Sequence, residues 1–321
     1  MKGVEIREKV QRKLNIGISR CMAYRAKAIA CDDIDGSFNE QYKRIYDYAH
    51  EVLGRNPGST VKVEVENNQD EVIFKRFYCC LKACKDSFVC CRSIIGLDGA
   101  FLKGKYGGEL LTAVGRDGND QMLPIAYAVV EGENKDSWTW FLNLLIDDLG
   151  GEEVCSSITF VSDQQKGLLP AIQQLLPGVD QRFCVRHLYS NFRKKFPGKN
   201  LKRLMWRAAT ATHPENWERE MKNIKDVNED AFKHLIAIPP RIWQITGIPC
   251  CHSLAAMKFF NIDGQQFIPA CFLKSTYEET YASIIYPING NNMWAHGPYP
   301  DVMPPRKKVM PGRPKRKRRL K

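Results

Sequence analysis

A chain of 321 residues with 44% hydrophobic content can bury one sizeable core plus smaller pieces. Its longest clean apolar block, MLPIAYAVV (122–130), is of strand length, far short of the roughly 18 residues a membrane span needs, and the start MKGVEIREKV has no apolar signal core. The net charge of +12 is concentrated in residues 306–321, RKKVMPGRPKRKRRLK, where ten Lys or Arg stand with no acid, as suits a phosphate backbone or nuclear import.

In chain order, EIREKVQRKLNIGISRCMAYRAKAIA (5–30) reads as helix, Gly-containing turn and helix, with Ser19 as N-cap of the second. Residues 2–27 hold eight Lys or Arg against two Glu. A helix-turn-helix offering a basic helix to DNA and a hairpin with a solvated basic face read equally well. Tyr42, Ile45, Tyr46, Ala49 and Leu53 form one helical stripe, stopped by Asn56-Pro57-Gly58. Val61, Val63 and Val65 alternate with charges as in a half-buried strand. Residues 72–90 are expected to be helical. The twelve cysteines, with no secretory signal, predict a reduced compartment. Cys79, Cys80, Cys84, Cys90 and Cys91 lack ribbon spacing and are expected to pack as small hydrophobes.

SIIGLDGAFLKG, LLTAVG and QMLPIAYAVVEG then predict a three-stranded antiparallel meander. Trp138, Phe141, Leu142, Leu145 and Leu149 recur at helical spacing, SITFVSD (157–163) is a short strand, and GLLPAIQQLLP is a helix. The order β-β-β-α-β-α is that of an RNase H-like core, an α/β fold with a mixed sheet and flanking helices. Residues 201–236 read as helical. Pro239-Pro240 breaks the chain before RIWQITGIPCCH, and from 285 the text reads as an irregular tail.

Two carboxylates end strands: Asp98 in IIGLD and Asp163 in ITFVSD. One such Asp is ordinarily a turn former. In this β-order the first and fourth strands are neighbours, so both acids share a rim. Adjacent carboxylates repel unless a cation neutralises them, and Mg²⁺ is a natural partner. Two such ions about 4 Å apart can serve both oxygens of a phosphodiester displacement.

GLDGAFLKGKYGGELLTAVGRDGNDQMLPIAYAVVEGENKDSWTWFL, FVSDQQKGLLPAI and CVRHLYSNF resemble the transposase domain of plant Mutator-like elements (MULE, MuDR) from about residue 72 to 236. ITGIPCCHSLAAMKFF resembles the second half of that family's SWIM-type zinc finger, and PPRKKVMPGRPKRKRR its basic tail. The resemblance implies an Asp-Asp-Glu triad using Mg²⁺ or Mn²⁺, with Asp98 and Asp163 matching the two Asp. It implies a C-x2-H between the second Asp and the Glu, matched by Cys184 and His187, which by chemistry alone can begin a metal site or simply pack a helix. It also implies Zn²⁺ at Cys250 and His252, half of a four-ligand finger.

The sequence departs from the family at one joint. AIPPR (237–241) runs almost directly into IWQITGIPCCH, with neither N-x-x-E nor C-x-C between Cys184 and Cys250. The third acid and two zinc ligands are therefore absent, as after an internal deletion or a mis-spliced gene model. The expected organisation is 1–60 helical, 72–200 transposase domain, 201–240 remnant of a helical insertion, 241–275 half finger and 285–321 basic tail. In that tail Pro311-Gly312-Arg313-Pro314-Lys315 approaches an AT-hook core for an A·T-rich minor groove, and Lys315, Arg316, Lys317, Arg318 and Arg319 suit nuclear import. The expected protein is a nuclear, transposase-derived DNA-binding protein, with terminal inverted repeats as ancestral target, no membrane partner, an oligomer left open and strand cleavage impaired. The alternatives are a domesticated, non-catalytic DNA-binding regulator and the product of a decayed element.

Overall fold

A computed structural model describes residues 3–35, 38–68, 71–103, 106–163, 165–211, 213–238 and 269–306. The expected half finger with Cys250 and His252, the joint at 240–241 and the tail residues Arg313 to Arg319 lie outside the described residues. The chain divides into two compact units, one of residues 1–51, 63–75 and 289–321, the other of residues 52–62 and 76–288.

In the first unit, α1 (Gly3–Leu14) and α2 (Arg20–Asp35) form a helical hairpin. Ser19 caps α2 as expected, its Oγ accepting from the Met22 N–H at 3.1 Å. The expected single stripe from Tyr42 to Leu53 is divided between α3 (Phe38–Lys43) and α4 (Ile45–Arg55). Strand β1 (Thr60–Asn68) carries the alternating valines, and β2 (Glu71–Cys80) follows.

The first half of the stretch expected to be helical is thus strand β2, and its second half is helix α5 (Lys82–Val89). The physical reason is burial on both faces: VIFKRFYCC is buried or half-buried throughout, which removes the alternation that marks a one-sided strand. Residues 289–306 have little regular structure, yet they are fastened to their unit. Met303 bridges Ile73, its N–H donating to Val72 O at 2.7 Å and its carbonyl accepting from Phe74 N–H at 2.9 Å. Val302 is fully buried, and Tyr299 stacks on Tyr46 with ring centroids 4.7 Å apart. Asp47 accepts from the Gly297 N–H at 2.9 Å, and Arg44 donates to Trp294 O at 2.9 Å.

The second unit contains the expected meander: β3 (Arg92–Phe101), β4 (Glu109–Arg116) and β5 (Met122–Val130), paired antiparallel. Helix α6 (Lys135–Asp148) follows, then a short α7 (Glu152–Cys155), β6 (Thr159–Ser162), α8 (Leu168–Leu175) and β7 (Gln181–Phe183). Strand β6 runs parallel to β3, and β7 parallel to β6. The seven-stranded mixed sheet has the order β1-β2-β5-β4-β3-β6-β7. Counted from the meander, its last five strands run 3-2-1-4-5, the order of an RNase H-like sheet.

The core explains the periodicity. Trp138, Phe141, Leu142 and Leu145 of α6 are fully buried, in one cluster with Ile95, Leu97, Leu111, Phe160, Leu168 and Ile172. Each such side chain contributes about 1.5–3 kcal/mol on leaving water. Cys80 and Cys91 join this cluster, and Cys79 and Cys84 are also buried. Burial raises all four thiols above their ordinary value, as small hydrophobes require.

After β7 come α9 (Val185–Lys195), α10 (Lys199–Ala209), α11 (Pro214–Val227) and α12 (Glu229–Ile236). They share a second cluster that includes Leu188, Phe192, Leu204, Met205, Met221, Ile224 and Leu235. A 3-10 turn at Ala270–Phe272 leads to α13 (Lys274–Thr280). This segment lies on the β4–β5 turn, where a Cβ on Gly118 would stand 2.2 Å from Cys271 O, so only glycine fits. The Tyr281 hydroxyl donates to Asp117 at 2.8 Å.

Candidate active site

The parallel register places the carboxylates. Leu97 of β3 pairs with Ser162 of β6, and Ser162 with Phe183 of β7. One residue further on, Asp163 and Cys184 follow the ends of β6 and β7, whereas Asp98, expected to end its strand, lies within β3, which continues to Phe101 because it stays paired with β4 after its ladder with β6 has stopped at Leu97; neighbouring strands lie about 4.8 Å apart. Leu97 and Ser162 are buried on one face, so by alternation Asp98 and Asp163 turn toward the other. The side-by-side placement read from the strand order is therefore present.

Local hydrogen bonds hold each acid. Asp98 is exposed, its carboxylate accepting from Gly99 N–H at 3.0 Å and its carbonyl from the Thr112 hydroxyl at 3.2 Å. Asp163 is half-buried and accepts from Gln165 N–H at 3.1 Å. Gln165 works in two directions. Its amide nitrogen donates to Glu133 O at 3.1 Å, while its oxygen accepts from Leu168 N–H at 3.0 Å and from Gly167 N–H, capping α8. A Cβ on Gly167 would stand 2.6 Å from the Asn134 carbonyl carbon, so glycine is what lets the starts of α6 and α8 meet.

These bonds bring in a third acid that sequence reasoning missed. Glu133 sits immediately before α6, whose start is fixed by a capping box of Asn134 and Ser137. Its carboxylate accepts from the indole N–H of buried Trp138 at 3.2 Å. It lies over Gly99, where an added Cβ would stand 2.7–2.9 Å from it. Glu133 thus borders the residue next to Asp98 and is tied through Gln165 to the loop of Asp163. Burial first, then the charges of Asp163, Glu109 and Asp98, push its carboxyl up to about 7 against the lowering pull of the Trp138 hydrogen bond. Glu109, at the start of β4, is buried nearby. No sequence signal singles out Glu133, which lies in the loop between the end of β5 at Val130 and the capped start of α6.

Like charges in one field and hard oxygen donors are the chemistry a divalent cation suits. Among the described residues, no three His, Cys, Asp or Glu side chains are already gathered as a metal cluster. The missing Cβ of Gly99 leaves the room in which Glu133 stands toward the Asp pair. In type the donors suit a hard divalent cation; in place the three carboxylates are not already gathered around one ion position.

Other acids serve differently. Glu220 of α11 is buried, and its carboxylate pairs with Arg207 of α10 at 2.7 Å. Cys184 is the N-cap residue of α9, its N–H donating to Ser162 O at 2.6 Å. His187 lies in the first turn, with its Nδ1 buried and without a hydrogen-bond partner among the described residues. A cavity of about 430 Å³ lies toward the other ends of β3 and β6, lined by Arg92, Thr159, Arg182 and Phe272 and by none of the rim carboxylates.

Residues 94–191 match the family model of the MULE transposase domain, and that span holds Asp98, Glu133, Asp163, Cys184 and His187. Two curated proteins of Arabidopsis thaliana are similar. Protein FAR1-RELATED SEQUENCE 6 is 27% identical over 105 residues, 33% of this chain and 14% of that protein. Protein FAR-RED IMPAIRED RESPONSE 1 is 20% identical over 152 residues, 47% of this chain and 18% of that protein. The chain spans less than a fifth of the length of either relative.

Proposed function

Because residues 94–191 carry a MULE transposase domain, we propose that the protein is a transposase-derived, nuclear DNA-binding protein whose divalent-cation site survives and whose strand cleavage does not. The observation that carries this reading is the register of β3 and β6, whose last parallel pair, Leu97 and Ser162, is followed directly by Asp98 and Asp163. In the proposal Asp98, Asp163 and Glu133 would hold Mg²⁺ or Mn²⁺. Such a cation, when bound, would supply positive charge to the attacking and leaving oxygens of a phosphodiester.

The chain's own residues set the rest. Trp138 orients Glu133, Gln165 fixes its backbone, and the Gly99 and Gln165 N–H groups hold the two Asp side chains in place. The family's own Glu has no counterpart between Cys184 and Cys250, and Glu220 is occupied by Arg207. Cleavage is therefore expected to be lost while DNA binding persists. The tail Arg313, Lys315, Arg316, Lys317, Arg318 and Arg319 supports nuclear entry and phosphate contact in this proposal. Zinc at Cys250 and His252 would need two further ligands, so a tight equimolar zinc content is not expected.

The test is nicking of terminal-inverted-repeat DNA by the purified chain with Mg²⁺ or Mn²⁺, beside an Asp98→Asn, Asp163→Asn double variant. Salt-dependent binding with nicking no higher than the double variant's supports the proposal. Nicking that the double variant abolishes overturns the loss of cleavage, and no binding at low salt overturns the proposal as a whole. A second reading, a domesticated DNA-binding regulator, draws support from the relative whose name gives an impaired far-red response. Genomic binding at fixed sites, with none at inverted repeats, would select it.

A further inference from the structure

From Gln181 to Pro214 the chain holds nine Lys or Arg and no Asp or Glu. Arg193, Lys194 and Lys195 of α9 and Lys199, Lys202 and Arg203 of α10 are all exposed, with only Phe196-Pro197-Gly198 between the helices. The flanking Arg182 and Arg207 have acids, Asp180 and Glu220. These six are in no ion pair among the described residues. Lys194 and Arg203 reach only the neutral amides of Asn191 and Asn200.

The apolar sides of the two helices are already committed. Leu188, Phe192, Leu201, Leu204 and Met205 form the second cluster, so packing does not explain the outer face. An ordinary solvated helix intersperses acids at i+3 or i+4, which helps its own stability. Here a single sign is kept over two successive helices, at a cost in self-repulsion. His234 of α12 is held below its ordinary value by burial first and then by the charge of Lys195. Such a face is complementary to a polyanion.

Position decides which polyanion. Helix α9 starts at Cys184, the neighbour of Asp163 on the strand rim. Its 11 residues extend about 16 Å, a length over which duplex DNA presents several phosphates at about one charge per 1.7 Å. We infer that the outer faces of α9 and α10 bind the phosphate backbone of duplex DNA and lead it to the Asp98–Asp163 rim, an assignment that rests on the DNA-binding reading above. The contacts are ionic, so they give position and affinity rather than base sequence.

The experiment uses the full chain and short labelled DNA duplexes, with affinity measured across a salt series. One variant replaces Arg193, Lys194, Lys199 and Lys202 by Gln; a second exchanges Arg and Lys at the same four positions; a third replaces Lys315, Arg316, Arg318 and Arg319 by Gln. The expected result is a loss of about tenfold or more in the first variant. The magnitude of its salt slope should fall by about 0.9 per phosphate contact removed, while the exchange variant binds as wild type. Lysine–DNA cross-linking on the unmutated chain should capture Lys194, Lys199 or Lys202, a readout independent of variant folding. Full affinity in the first variant, with loss only in the tail variant, overturns the inference and leaves the DNA-binding reading intact. Absence of duplex binding by the unmutated chain overturns both. Tighter binding of a matched RNA duplex overturns the choice of DNA.

Discussion

Glu133 owes its place to a neighbour that is not there: the Cβ of residue 99. Gly99→Ala brings a methyl to within 2.7–2.9 Å of the Glu133 carboxylate, which must swing aside and leave the Trp138 indole. The displaced group is the end of a flexible side chain, so the fold should tolerate the change. Scanning fluorimetry is expected to show a melting temperature near wild type without added metal, and a smaller upward shift with Mg²⁺ or Mn²⁺ than wild type gives. A second side chain invites a stability test. Arg207→Ala strips the buried Glu220 of its 2.7 Å partner, leaving Arg219 at 3.7 Å. A loss of about 1–3 kcal/mol in denaturant unfolding is expected, and Glu220→Gln in the same background should restore part of it. Asp98 and Asp163 could be read from text because each follows an apolar run, although only Asp163 lies past its strand and β3 continues to Phe101. Glu133 could not, because Gly132 and Asn134 make it look like a loop acid, and its significance arises only when β3 brings Gly99 beneath it.

Strands β3 to β6 and helices α6 and α8 were legible because their apolar positions repeat and turn residues bound them. Strand β2 was not, because burial on both faces erases the period of two. The attachment of the irregular stretch 289–306 was not legible either: its anchors, Trp294, Tyr299 and Val302, are spaced without any period, so only tertiary contacts reveal them. Asp47 gives this stretch a pH signature. Partial burial raises its carboxyl, but the Gly297 N–H, Arg44 and His296 together outweigh that and hold it below its ordinary value of 3.8. A native value lower than the unfolded one means that the stabilisation is complete above about pH 3.8 and is lost as pH falls through the native value. Comparing wild type with Asp47→Ala by denaturant unfolding, the stability gap should be constant near neutrality and close in acid. A gap that widens on acidification would contradict the assignment of Asp47 as the ionised acceptor.

The two cores of the second unit bear on the whole molecule. The sheet cluster and the α9–α12 cluster have separate membership, so a lesion in one need not empty the other. Phe192 is fully buried in the helical cluster, and Phe192→Ala should cost about 3–5 kcal/mol. If the rim depends on the sheet alone, the variant should keep its metal-dependent thermal shift below its lowered melting temperature while losing duplex affinity. Loss of both together would mean that the helices and the rim form one cooperative body.

The stitching of Met303 to Val72 and Phe74 has a further consequence, for reach. Arg306 is three residues from that stitch, so the fifteen residues that follow it can extend at most about 50 Å from a nearly fixed root. Covalent geometry alone keeps their cations within that radius of the stitch. Their contribution to binding then includes an effective concentration set by that radius. Breaking the stitch would move the root back toward residue 289 and enlarge the radius without removing any charge.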